Sequence, residues 1–151
     1  MTTVEIRPSR GPEEYAALVA IWRRAVDATH AFLDPADRRE IEGRLASDYL
    51  PAVCVTVADR DGHAVGFSGV LDGKLEMLFV DDEARGSGVG SALLDHAVRV
   101  QGVTAVDVNE QNPSAAAFYA RRGFTRAGRS ETDDAGHPYP LLHLRLPAAG
   151  A

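Results

Sequence analysis

The sequence predicts an α/β fold: a mixed, mostly antiparallel sheet of six to seven strands with helices on both faces. Three observations predict it. Short β-branched runs alternate with segments whose apolar residues recur at helical spacing. Three consecutive strands are joined by tight Asp-Gly turns, which makes them antiparallel neighbours. Strand–helix–strand units then follow, and these favour parallel pairing. A chain of 151 residues can bury a core of its own. Residues 1–147 are expected to form one domain, with 148–151 as a disordered tail.

Each element has a local cause. Val4–Arg7 alternates apolar and polar, as a short strand does. Pro12, Glu13 and Glu14 suit a helix's first turn, where proline loses nothing and acids meet the positive dipole end. Tyr15, Leu18, Val19, Trp22 and Val26 give that helix a buried face, and it runs to about His30. Asp34 and Pro35 read as N-cap and first position of a second helix, continued by Ile41, Leu45 and Tyr49. Val53–Ala58 and Ala64–Val70 are strands of a hairpin turned by Asp61-Gly62, and Asp72-Gly73 turns the chain into Lys74–Val80. The next helix places Val89, Leu93, Ala97 and Val100 on one face, with Leu94 and Val98 beside them. Val103–Val108 is a strand. Asn112 caps a helix with Pro113 at its first position; the helix ends near Arg122, with Gly123 just past it. Phe124–Arg129 and Leu141–Leu146 close the chain as strands.

Composition removes several classes. The net charge of −6 argues against a nucleic-acid-binding face. No apolar run approaches the ~20 residues that span a bilayer, and residues 1–7 lack a signal-peptide core. A soluble cytoplasmic protein is expected. Cys54 is the single cysteine, so no internal disulfide forms; within Val53–Val57 it reads as a buried structural thiol. Lys74 is the single lysine, a compositional bias toward arginine. His63, His96 and His137 are scattered without metal-ligand spacing, so no metal is expected. Oligomeric state is open between monomer and homodimer.

The segment Lys74–Val80 feeds a glycine-rich corner, Arg85-Gly-Ser-Gly-Val-Gly90, that opens a helix. The first N–H groups of a helix have no internal partner and lie at its positive end, and glycines let a phosphate approach that backbone. A P-loop is excluded, because no lysine follows the last glycine. A dinucleotide fingerprint is closer, with Asp107 where a ribose-binding acid would stand. Five residues, Asp81–Arg85, nevertheless separate strand from first glycine, and a hairpin meander precedes them. A tight helix entry without a ligand is the remaining plain reading.

Two segments carry a family resemblance. Val80-Asp-Asp-Glu-Ala-Arg-Gly-Ser-Gly-Val-Gly-Ser-Ala-Leu-Leu94 resembles motif A of the GCN5-related N-acetyltransferases (GNAT), Arg/Gln-x-x-Gly-x-Gly/Ala after a strand. Asn112-Pro-Ser-Ala-Ala-Ala-Phe-Tyr-Ala-Arg-Arg-Gly-Phe124 resembles their motif B, Asn-x-x-Ala-x-x-Phe-Tyr-x-x-x-Gly-Phe. Both occur in family order, and the element order follows throughout. Val26–Leu33, Val108–Asn112 and Asp133–Leu141 further resemble small bacterial members of the YjaB type.

The resemblance implies acetyl-CoA as acetyl donor, lying where the parallel strands Lys74–Val80 and Val103–Val108 splay apart. It assigns the backbone of Leu78 and Val80 to the pantetheine amides, with Phe79 between them as a further cofactor contact. It assigns Arg85, Gly86, Ser87, Gly88, Val89, Gly90 and Ser91 to the pyrophosphate and Asn112 to the pantetheine arm, and makes Ala115, Phe118 and Tyr119 further cofactor contacts. Arg85, Arg121 or Arg122 would meet the adenosine phosphates, although a solvated arginine reads the same positions as well.

The implied reaction is direct attack of a primary amine, on a small molecule or a peptide, upon the thioester. At pH 7 only about one lysine-like amine in 2500 is neutral, so a base is needed. Glu76 is the first candidate, polar among apolar neighbours on the central strand; alternation alone equally allows an outward-facing carboxylate there. Glu110 and His143 stand behind it. Tyr119 matches the family's acid at the departing sulfur. A thiol pKa near ~8.5 lies below tyrosine's ~10, so a hydrogen bond to the developing thiolate is as reasonable as full transfer. The Leu78 N–H is the implied oxyanion donor. His30, Phe32 and Tyr139 are the expected acceptor contacts, from Asp27–Leu33 and Asp133–Tyr139. Two other readings stay open: an acetyl-CoA-binding sensor or interaction module with little turnover, and a dinucleotide-binding oxidoreductase.

Overall fold

Among residues 4–147, which the computed structural model describes, seven strands form one sheet in the order β1-β2-β3-β4-β5-β7-β6. The tail expected at 148–151 lies outside the described residues. The strands are β1 Val4–Pro8, β2 Cys54–Arg60, β3 His63–Leu71, β4 Lys74–Val80, β5 Ala105–Asn109, β6 Thr125–Ser130 and β7 Leu141–Arg145. The helices are α1 Tyr15–Thr29, α2 Pro35–Arg44, α3 Val89–Arg99 and α4 Pro113–Arg121.

Turn chemistry sets the meander. Asp61 and Gly62 (φ 54° and 80°) and Asp72 and Gly73 (φ 49° and 79°) hold the left-handed backbone that two-residue hairpins need. The capping expectations also hold. The Asp34 side chain accepts from Ala36 N at 2.8 Å, and Asn112 Oδ1 accepts from Ala115 N at 3.3 Å. Gly123 sits past α4 at φ 94°. Helix α2 departs from a single long helix: its apolar continuation through Leu45 and Tyr49 widens into a π-turn and then tightens into a 3-10 turn that delivers Leu50 into the core.

Helices α1 and α2 cover one face of β2–β4. Leu18, Ile21, Trp22, Val26, Leu45 and Leu50 pack there on Val57 and Phe67. Each such side chain contributes about 1.5–3 kcal/mol by leaving water. Helices α3 and α4 cover the opposite face, with Leu94, Ala97 and Tyr119 on Val106, Val108 and Leu144.

Three local expectations fail. Val100 is 70% exposed, because α3 ends at Arg99 before its face turns inward again. Cys54 is exposed: it is the first residue of β2, past the edge of the helical layer, with Gln101 Nε2 3.5 Å from its sulfur. Only β4 and β5 pair in parallel; the second strand–helix–strand unit does not pair, because β7 inserts between β5 and β6.

Two irregularities in β4 prepare the site. Parallel pairing with β5 is confined to Lys74–Ala105 and Leu75–Val106, after which the strands separate. On the other edge Gly69 faces Met77 and Val70 faces Leu75, so Glu76 is an extra residue, a β-bulge. The bulge resets the alternation: Leu75 joins the α3/α4 core, and so do Leu78 and Val80 farther along.

Candidate active site

The separation of β4 from β5 opens a cleft of about 600 Å³ between α1, α3 and α4. One wall is Leu78, Phe79 and Val80, whose edge toward β5 has no ladder partner. The floor is the glycine corner, with Arg85, Gly86, Gly88, Val89, Gly90 and Ser91. The far wall is α4, with Asn112, Ala115, Phe118, Tyr119, Arg121 and Arg122.

The corner leaves its backbone open to the cleft. Gly86 and Gly88 have φ 76° and 88°, and a Cβ at either would meet nothing within 4 Å. Gly88 caps α3 without a side-chain bond, so its first-turn amides stay available. Bidentate Arg24–Asp81 bonds of 2.9 and 2.8 Å tie the corner to α1. Arg24 holds the Asp81 carboxyl below its usual range, against the opposing effect of burial. Arg122 donates to Ser91 Oγ and stacks over Phe118 at 4.4 Å, at the mouth of the cleft. Ser87 is turned away: its hydroxyl bonds Ala84 O and accepts from Arg60 at 2.9 Å. Asn112 Oδ1 is committed to capping α4 and to Ser114, which leaves its amide nitrogen for the cleft. These residues fit a nucleotide-linked pyrophosphate with an extended arm: open backbone at the corner, an unpaired strand edge above it, and arginine at the rim.

A smaller pocket of about 130 Å³ adjoins the cleft. Tyr119, Asn112, Ala115, Leu78, Phe79 and His30 line both; Glu76 and Asp107 belong to the smaller one. Tyr119 therefore stands at the junction. Burial pushes its phenol well above its usual range, so the hydroxyl stays protonated and able to donate. Burial also raises the Glu76 carboxyl; the Lys74 ammonium opposes this, and the charges of Asp107 and Asp134 add to it. The bulge is what aims Glu76 into this pocket.

The other expected residues divide. His30 caps α1, with Nδ1 2.6 Å from Thr29 Oγ1, and burial lowers its pKa, favouring neutral imidazole. Phe32 stacks between His30 (5.2 Å) and Tyr139 (6.2 Å) and lines neither cavity. Tyr139 is buried: its hydroxyl accepts from Asp34 N at 2.9 Å and donates to Asp37 Oδ2 at 2.6 Å, clamping the β6–β7 loop onto α2. Glu110 is withdrawn as a base, since Arg129 holds it through bonds of 2.6 and 3.1 Å and depresses its pKa. His143 lies between Asp107 (Nδ1, 2.6 Å) and Ser130 (Nε2, 2.6 Å).

Sequence spacing missed two groupings. Lys74, Asp107 and His143 meet across β4, β5 and β7, although the direct Asp107–His143 pairing follows once β7 lies beside β5. His137 is not isolated: its ring faces Asp37 (3.6 Å) and Glu40 (4.0 Å), with Asp133 3.2 Å from Nδ1. No linear spacing could bring α2 and the β6–β7 loop together.

Comparison with known proteins agrees with this architecture. The family model of the acetyltransferase (GNAT) domain matches residues 51–126. The peptidyl-lysine N-acetyltransferase YjaB of Salmonella typhimurium is 47% identical over 146 residues, 95% of this chain and 99% of the relative. The solution structure of apo-form YjaB from Escherichia coli superposes with a TM-score of 0.87 at 42% identity, covering 97% of this chain and 99% of that one. The PaiA N-acetyltransferase of Thermoplasma acidophilum, solved in complex with coenzyme A, shares the fold at 20% identity (TM-score 0.73, 95% and 99% covered).

Proposed function

The chain belongs to the GNAT family of N-acetyltransferases, and from that premise we propose that it moves the acetyl group of acetyl-CoA onto lysine side chains of peptides or proteins. The observation that carries this is the junction at Tyr119. One buried hydroxyl borders both a cleft shaped for a pyrophosphate-linked arm and a pocket holding a carboxylate. The lysine acceptor is drawn from the activity named for the YjaB relatives, and Glu76, Asp107 and Asp134 suit an incoming cation.

When bound, acetyl-CoA supplies the reactive thioester and a thiol leaving group. Gly86–Ser91 would hold the pyrophosphate through backbone amides and the α3 dipole. The free edge of β4 would hold the arm as an added strand, and Asn112 Nδ2 would bond it from α4. The Leu78 N–H would face the carbonyl oxygen as negative charge develops there. Glu76, directly or through water, would take the acceptor's proton. Tyr119 would donate to the sulfur; with its pKa raised, transfer to a thiolate near ~8.5 is steeply uphill, so hydrogen bonding is the better description.

The test is a free-thiol assay with acetyl-CoA and lysine peptides, alongside thermal unfolding with acetyl-CoA, CoA and NADH. A ligand at ~100 times its Kd adds about 2.7 kcal/mol of stability. Stabilisation by acetyl-CoA and CoA with peptide-dependent thiol release is expected. Stabilisation without release would make the protein a binding module. Stabilisation by NADH alone would overturn the donor.

A further inference from the structure

Glu76 does not face its pocket alone. Lys74 approaches from its own strand, Asp107 from β5, Asp134 from the β6–β7 loop and His30 from the end of α1. Lys74 Nζ lies 2.6 Å from Asp107 Oδ2 and 4.0 Å from Glu76 Oε1. The other oxygen of Asp107 takes His143 Nδ1 at 2.6 Å, and His143 Nε2 meets Ser130 Oγ at 2.6 Å. Asp107 is the anchor: its side chain is only 17% exposed, against 32% for Lys74 and Glu76.

The chain's single lysine is thus fixed beside the candidate base by residues from three further strands. We propose that Lys74, fixed by Asp107 and through it by His143 and Ser130, is a positioning residue that keeps Glu76 ionised and able to accept the acceptor's proton. The proposal rests on the reading of Glu76 as base. Its physics is charge balance. Glu76 is partly desolvated and flanked by two acids, and each influence favours its protonated form. Lys74 is the cation within reach that opposes them, and it also neutralises Asp107. A protonated Glu76 cannot take a proton, so the ammonium is needed even though it never touches substrate. A compact –NH3+ suits the place, because one nitrogen serves both carboxylates.

The experiment measures kcat/KM against pH for the wild type, Lys74→Met, Lys74→Arg and Glu76→Gln with one lysine peptide. The proposal expects Lys74→Met to move the acidic limb upward by about one pH unit, with the rate recovering at higher pH. At pH 7 kcat should fall severalfold while the acceptor KM stays level or drops, since the pocket becomes more anionic. Lys74→Arg should return the limb close to the wild-type position. Glu76→Gln should abolish the limb. A Lys74→Met limb at the wild-type pH, or a loss equal at every pH, overturns the proposal while leaving Glu76 as base. A limb that persists in Glu76→Gln removes the base itself, and the proposal with it. Acetyl-CoA stabilisation checks that each variant is folded, and Lys74→Gln carries the same test should Lys74→Met not fold.

Discussion

The proposed donor and acceptor sides of the site are built in opposite ways. The donor side is mostly backbone: Gly86, Gly88 and the first turn of α3, the free edge of β4, and one capping asparagine. Apart from Ala25, Thr29 and His30 of the α1 end, its lining lies in two continuous stretches, 78–91 and 112–122. The acceptor side is mostly side chains, from α1, β4, β5, β7 and the β6–β7 loop, held by ion pairs rather than by chain continuity. A backbone site recognises what every donor molecule shares, whereas a side-chain site can change its acceptor by substitution. The two sides should therefore fail differently when perturbed.

The sharpest break is a negative charge in the glycine cradle. Gly88→Glu should abolish acetyl-CoA binding, because like charges in contact cost several kcal/mol, at least a hundredfold in Kd. Gly88 is left-handed, so backbone strain complicates that variant. Ser91→Asp separates the effects: an acid in the first turn favours the helix but repels pyrophosphate. Binding measured by calorimetry should weaken while Tm holds; retained affinity would remove the phosphate assignment.

Next in size is the junction. Tyr119→Phe should lower kcat well over tenfold with acetyl-CoA affinity little changed, as stopped-time thiol assays and calorimetry would show. Unchanged turnover would take Tyr119 out of the chemistry. On the acceptor side, Tyr139→Phe deletes the hydroxyl shared by Asp34 N and Asp37. It should cost about 1–3 kcal/mol of stability and raise the acceptor KM, leaving the donor KM alone. A change in donor KM would mean that the two sides are coupled.

The smallest effect is electrostatic and belongs to the donor corner. Arg24 depresses the pKa of Asp81 in the folded chain, so the unfolded chain binds its proton first as pH falls. This stabilisation is fully present above about pH 4 and is lost as pH drops through the folded value. Urea unfolding from pH 6 to pH 2 should show a slope that Arg24→Gln flattens.

The two sides also differ in how far sequence discloses them. Asp61-Gly62, Asn112-Pro113 and Gly123 act through bonds within a few residues, and each stands where local chemistry places it. The glycine corner is likewise local, so its conformation follows from its residues. Glu76 shows the limit. Strict alternation leaves its side undecided, and the bulge opposite Gly69–Val70 decides it. Cys54 and Val100 fail for a related reason: their exposure depends on where a neighbouring layer ends.

The sequence by itself determined the α/β class, the caps and turns, and the glycine-rich entry into α3, because those rest on backbone preferences over short spans. Only the tertiary structure decided that β7 slips between β5 and β6, which brings His143 against Asp107. It alone joined Tyr139 to Asp37 and set the single lysine beside Glu76. Contacts between residues far apart in the chain depend on strand order and register, and no local preference encodes either.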